Sequence, residues 1–123
     1  MVAQPKLVLR GHSGLALHHT VGMRFTINCG RTLVGICGFN QRSAERTLAV
    51  DYEVWKAYQR CGFATQTVEL LCAWGFQALD ATRILAVVNL QNIASQKVLG
   101  RNGFAVYKTT AKLYYCDKFK PES

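Results

Sequence analysis

The chain has 123 residues, with 15 Lys and Arg against 7 Asp and Glu, and half of its residues are apolar. That length suits one globular domain, which can bury about two-thirds of the surface its unfolded chain exposes without disulfides or structural metal. The net charge of +8 favours anionic ligands, but the basic residues are scattered from Lys6 to Lys120 with no run of three, so the stripe expected of a dedicated nucleic-acid binder is missing.

In chain order, residues 1 to 20 carry few structural signals and are left unassigned apart from a short strand-like run, Lys6 to Arg10, followed by Gly11, Gly14 and the histidines His12, His18 and His19. The start MVAQPKLVLR lacks the sustained apolar core of a secretory leader. No uninterrupted apolar stretch approaches the roughly 18 residues of a membrane span, so the chain is expected to be soluble and free of membrane partners.

MRFTIN, LVGICGF and RTLAVDYEVW then read as three β-rich runs separated by the turns CGRT and NQRS, an antiparallel meander. From Gly62 the period changes. Ala64, Val68, Leu71, Gly75 and Ala78 recur every three or four residues, with Leu79 beside them, which predicts an amphipathic helix. TRILAVVNL is a continuous apolar run and predicts a central strand buried on both faces. Asn92 can cap a second helix from about Ile93 to Arg101, and Asn102 with Gly103 supplies the left-handed stop. FAVYKTT and KLYYCDKF close the chain as two more strands. The fold class is mixed α/β, of α+β type, with two main helices on a largely antiparallel sheet.

Five cysteines, Cys29, Cys37, Cys61, Cys72 and Cys116, form no CxxC pair and no zinc-like spacing with histidine. A hairpin turning near Gly30 sets Cys29 opposite residues 32 to 34, so Cys37 lies roughly 10 Å further along its strand, too far for a disulfide. A reduced, cytoplasmic compartment is the expectation.

The sharpest local feature is YQRCGFATQ, a strand-to-helix turn in which Gln59, Gly62 and Ala64 are spaced by three and two. A helix start exposes unpaired N–H groups and the positive end of its dipole, and small residues at 62 and 64 let a diphosphate approach them. Arg60 adds a cation at the same mouth, with Lys56, Lys97 and Arg101 as more diffuse contributors. Alone, the loop reads equally well as a tight turn with a solvated arginine.

QRCGFATQTVELLCAWGF, then RILAVVNL, then NIASQKVLGRNGF together resemble the GNAT superfamily of acyl-CoA-dependent N-acyltransferases, nearest its branch that acetylates ribosomal-protein N-termini. The resemblance covers about residues 21 to 119. Gln59, Gly62 and Ala64 fill the family's acetyl-CoA signature in order, and Asn92, Ser95 and Arg101 to Phe104 fill a second motif.

What the resemblance implies is a single acetyltransferase-like domain, 21–119, that takes acetyl-CoA and a primary amine and needs no metal. The loop Gln59, Arg60, Cys61, Gly62, Phe63, Ala64 and Thr65 would hold the diphosphate. Val54 and Trp55 would flank the pantetheine arm along the free edge of their strand, and Asn92 would touch the cofactor. Ser95 stands where this branch has a serine near the cofactor sulfur and would donate to the thiolate, directly or through water; it reads equally as a first-turn serine that bonds a backbone group of its own helix. An oxyanion would meet a strand N–H near Val54. A large aromatic at such a place is more often packing than a ligand contact, so Trp55 and Phe63 also read as packing residues, and Cys61 reads as a bystander thiol because the family transfers the acyl group directly.

The chain also departs from the family. Ala49 stands where the branch often has a glutamate; strand alternation sets Asp51 and Glu53 on the face of Ala49, opposite Leu48, Val50, Tyr52 and Val54, so either could substitute as base, and both also read as solvated surface carboxylates. The tyrosine used as acid elsewhere in the superfamily falls at Leu99, and a proline before the loop falls at Lys56. Only about 20 residues precede Val21, where the family has a strand and two helices that wall the amine pocket. That pocket would then be open, completed by a second copy in a homodimer, or lost. The alternative functions are an acyl-CoA-binding protein with reduced catalysis and a basic module for RNA or acidic protein.

Overall fold

In a computed structural model that describes residues 7–11, 22–41 and 46–121, alternating residues of the first half close a run of antiparallel strands. They are β1 (Leu7–Gly11), β2 (Gly22–Cys29), β3 (Thr32–Gln41) and β4 (Thr47–Val54), each paired with the next. The strand-like run at Lys6 to Arg10 thus becomes β1 and joins the meander. The histidines and residues 12–21 lie outside the described residues. Across the β2–β3 turn Cys29 faces Thr32 while Cys37 faces Phe25, and all five cysteines are free.

The second half follows the expected order: α1 (Phe63–Gln77), β5 (Arg83–Asn89), α2 (Ile93–Arg101), β6 (Ala105–Thr109) and β7 (Leu113–Phe119). The sheet runs β1-β2-β3-β4-β5-β7-β6. Its one parallel pair among the described strands, β4 with β5, is bridged by α1, since parallel neighbours need a crossover. That pairing covers only Thr47–Ala49 against Arg83–Leu85. Beyond it both strands continue, β4 to Val54 and β5 to Asn89, without pairing to each other, and a wedge opens between them.

Both helices lie on one face of the sheet. Phe39, Ile27, Val68, Leu71 and Ile84 form the most enclosed part of the core beneath α1. Gly75 lets the helix sit close: a Cβ there would stand 3.2 Å from the Phe39 ring and 3.3 Å from Ile84 Cδ1. Glycine is a poor helix former, yet at this position it is what seats the helix.

β5 is central but is not buried on both faces, contrary to the expectation from its apolar run. Ile84, Ala86 and Val88 are buried under the helices, whereas Val87 is 46% exposed and Leu85 half-buried. Among the described residues no helix covers that second face. Asp51, Glu53, Val87 and the Arg83–Asp117 ion pair (2.8 Å) share it.

Candidate functional site

The end of β4 leads through a short 3-10 turn at Lys56–Tyr58 into the loop Gln59–Gly62. Two residues of the loop are left-handed, Arg60 (φ 66°) and Gly62 (φ 79°), which turns the chain sharply into α1. Gly62 is the N-cap and offers no side-chain acceptor, and the first turn holds no acid. The first intrahelical bond runs from Gln66 N–H to Gly62 O at 3.1 Å, leaving the N–H groups of Phe63, Ala64 and Thr65 without intrahelical acceptors at the positive end of the dipole. A Cβ on Gly62 would meet nothing within 4 Å, so this end opens to free space.

That space is a cavity of about 490 Å³ between the end of β4, the loop, the first turn of α1 and one side of α2. Its lining carries Arg60, Lys97 and Arg101 against a single carboxylate, Glu53, so it favours an anion. The buried Asn102 sets its width, donating from Nδ2 to Thr65 O (3.3 Å) and Val98 O (2.9 Å) and so tying the end of α2 to the start of α1.

Trp55 N–H bonds Val34 O on the β3 side at 2.8 Å. By strand alternation the main-chain groups of Tyr52 and Val54 then face the wedge. Val54 O accepts from Gln59 Nε2 at 3.0 Å. Gln59 therefore braces the loop against the strand end.

Of the residues singled out by sequence, Glu53, Val54, Gln59, Arg60, Gly62, Phe63, Ala64, Thr65, Asn92 and Ser95 line the cavity together. Trp55 and Cys61 are not among the lining residues; Trp55 is half-buried, and the exposed Cys61 thiol turns back to Gln59 O at 3.6 Å. Phe63 is 7% exposed and belongs to the core as well. Asn92 is the α2 cap, its Oδ1 accepting the Ser95 N–H at 3.0 Å.

The two candidate bases separate. Asp51 is held by Arg24 (2.6 Å) and Asn40 (3.1 Å). Glu53 is exposed at the cavity edge, and its carboxylate has no hydrogen bond or ion pair among the described residues. Ala49 is 3% exposed and sits at the last paired position of β4, where the wedge closes.

Four lining residues, Tyr52, Tyr58, Ala94 and Val98, carry no site signal in the sequence, and Tyr52 is the one that makes a polar contact across the cavity. Tyr52, on the core face of β4, places its hydroxyl 2.5 Å from Ser95 Oγ in the first turn of α2. Burial pushes its phenol above the usual tyrosine value, a rise that the Ser95 hydrogen bond partly offsets, so it is neutral at ordinary pH. Its signal in the sequence was only its place on the Val54 face of the strand.

The family model of the acetyltransferase (GNAT) domain matches residues 9–105. The uncharacterized N-acetyltransferase YoaA of Bacillus subtilis (strain 168) is 35% identical over 75 residues, 60% of this chain and 42% of the relative. Mycobacterium smegmatis RimJ in complex with CoA-disulfide superposes with a TM-score of 0.75 at 21% identity, over 80% of this chain and 53% of that one. The spermidine N-acetyltransferase from Vibrio cholerae in complex with CoA and spermine gives 0.78 at 14% identity, over 86% and 70%. At such identities the two structures speak for the fold alone. The chain spans less than half the length of the curated relatives it matches. With the matched span running from β1 to the start of β6, and with the bare helix start and the wedge inside it, the chain belongs to the GNAT acetyltransferase domain family.

Proposed function

We propose that the chain is an acetyl-CoA-dependent N-acetyltransferase that passes the acetyl group directly to a primary amine. The observation that carries the reading is the uncapped start of α1, opening on a basic cavity that continues into the wedge between β4 and β5. The residues fit such a cofactor. Three N–H groups without intrahelical acceptors and Arg60 suit a diphosphate, Lys97 and Arg101 add positive potential, and the β4 edge offers main-chain partners to an extended amide chain.

Acetyl-CoA supplies an acyl group already activated as a thioester. Gln59, Gly62, Ala64 and Thr65 hold and orient it, with Asn92 and Val54 on the flanks. The Val54 N–H faces the wedge and is the donor available to an oxygen that gains charge there. Glu53, unpaired and at the rim, is the base for the acceptor ammonium, directly or through water, while Ser95 faces the leaving sulfur. The acceptor approaches over the sheet face that no helix covers among the described residues; peptide N-termini and small amines are both candidate classes.

Titration calorimetry with acetyl-CoA tests the cofactor reading, and thiol release over a panel of amines and N-terminal peptides tests transfer. Micromolar binding with turnover on at least one amine is expected; absence of binding overturns the assignment. One observation favours the second reading, a CoA-binding domain without transfer: Ala49 leaves no carboxylate where the wedge closes. Binding without turnover on any amine would select it.

A further inference from the structure

We infer that Tyr52 is a positioning residue for the leaving-group side of the reaction: it aims the Ser95 hydroxyl at the sulfur of a bound CoA thioester. The inference rests on the acyl-CoA reading and adds to it a residue that reading does not use.

The hydrogen bond between Tyr52 and Ser95 joins residues 43 apart in sequence, crossing from β4 to the first turn of α2. It spans the wedge just beyond the last β4–β5 pair, where an acyl chain running along the β4 edge would end. Each hydroxyl has one proton and two lone pairs, so a pair that shares one hydrogen bond keeps one proton unspent. A phenol is a far stronger hydrogen-bond donor than an alkyl alcohol. Either oxygen can donate in this contact; on this proposal the phenol, kept neutral by burial and the more acidic of the two, gives its O–H to Ser95 Oγ. The serine proton is then the free one.

Ser95 is also held through its backbone, since its N–H bonds Asn92 Oδ1 at 3.0 Å. With its oxygen engaged by Tyr52, the Ser95 hydroxyl loses rotational freedom, which leaves its proton available to the cavity that both residues line. As the acceptor nitrogen bonds to the acyl carbon and the carbon–sulfur bond breaks, the electron pair of the broken bond stays on sulfur. The Ser95 O–H hydrogen-bonds that thiolate, and the proton given up by the acceptor nitrogen, relayed by base and solvent, neutralises it. Tyr52 keeps its own proton throughout.

CoA itself is the probe, because its bound thiol reports the interaction with no need to know the acceptor. Thiolate absorbance across a pH series, with desulfo-CoA as the blank, gives the pKa of the bound thiol. Calorimetry on the same samples gives CoA affinity. The cavity's cations act on the thiol in every variant alike, so the readout is the difference between variants.

Ser95→Ala and Tyr52→Phe should each raise the bound thiol's pKa by about half to one unit, because a hydrogen bond to the charged form is lost or misdirected. CoA affinity should stay within about threefold, and Ser95→Thr should restore the wild-type value. Replacing Tyr52 by a ring-fluorinated tyrosine, a more acidic phenol of nearly the same shape, should lower the thiol pKa further, and it answers the question if Tyr52→Phe does not fold. An unchanged thiol pKa in the Tyr52 variants, with CoA still bound, overturns the positioning role. Failure of wild-type protein to bind CoA overturns the acyl-CoA reading itself, and the two failures are distinguishable.

Discussion

The two helix starts that border the cavity are built in opposite ways. α2 begins on Asn92, whose side chain accepts the Ser95 N–H, and it ends with Arg101 in its last turn, both favourable to an isolated helix. α1 is the longer helix, yet it starts on a left-handed glycine with no side-chain cap and no acid in its first turn. An N-cap side chain is worth about 1 kcal/mol. α1 forgoes that stabilisation and keeps its donors open to an external anion, while α2 spends its cap on holding one serine in place. The helix that is worse by folding criteria is the one suited to binding.

The contrast can be broken most severely at Gly62. Gly62→Trp puts bulk in open space at the bare end and should weaken acetyl-CoA binding about a hundredfold, roughly 3 kcal/mol, measured by calorimetry on protein whose circular dichroism shows it folded. Ala64→Glu sharpens the contrast by giving α1 the first-turn acid it lacks. It should stabilise the fold by about 0.5 kcal/mol in urea unfolding while costing about tenfold in acetyl-CoA affinity, because the carboxylate competes with the diphosphate.

At the other helix the order of effects reverses. Asn92→Ala should cost about 1 kcal/mol of stability with only a few-fold change in acetyl-CoA affinity, and Asn92→Asp should recover the stability. The smallest effect is expected for Arg101→Gln, about threefold in affinity at low salt and fading as ionic strength rises, since the side chain is exposed and screened.

Features encoded within a few residues were legible in the sequence. Both ends of α2 follow from Asn92 and Asn102–Gly103, and the bare start of α1 from the spacing of Gln59, Gly62 and Ala64. Features that depend on a partner far along the chain were not. Asp51 and Glu53 look equivalent on one strand face until Arg24, two strands away, takes Asp51 and leaves Glu53 unpaired. Tyr52 reads as one more strand residue until α2 brings Ser95 to it. The apolar run of β5 suggested burial on both sides, but composition cannot say whether a second layer is there, and Val87 faces away from both helices.

The short seam between β4 and β5 has a mechanical consequence. With only Thr47–Ala49 matched to Arg83–Leu85, the sheet is two antiparallel leaves stitched near one end, the meander on one side and β5, β7 and β6 on the other. Such leaves form natural cooperative units, so native-state hydrogen exchange should resolve them as separate openings, and a ligand that clasps both leaves should merge them into one.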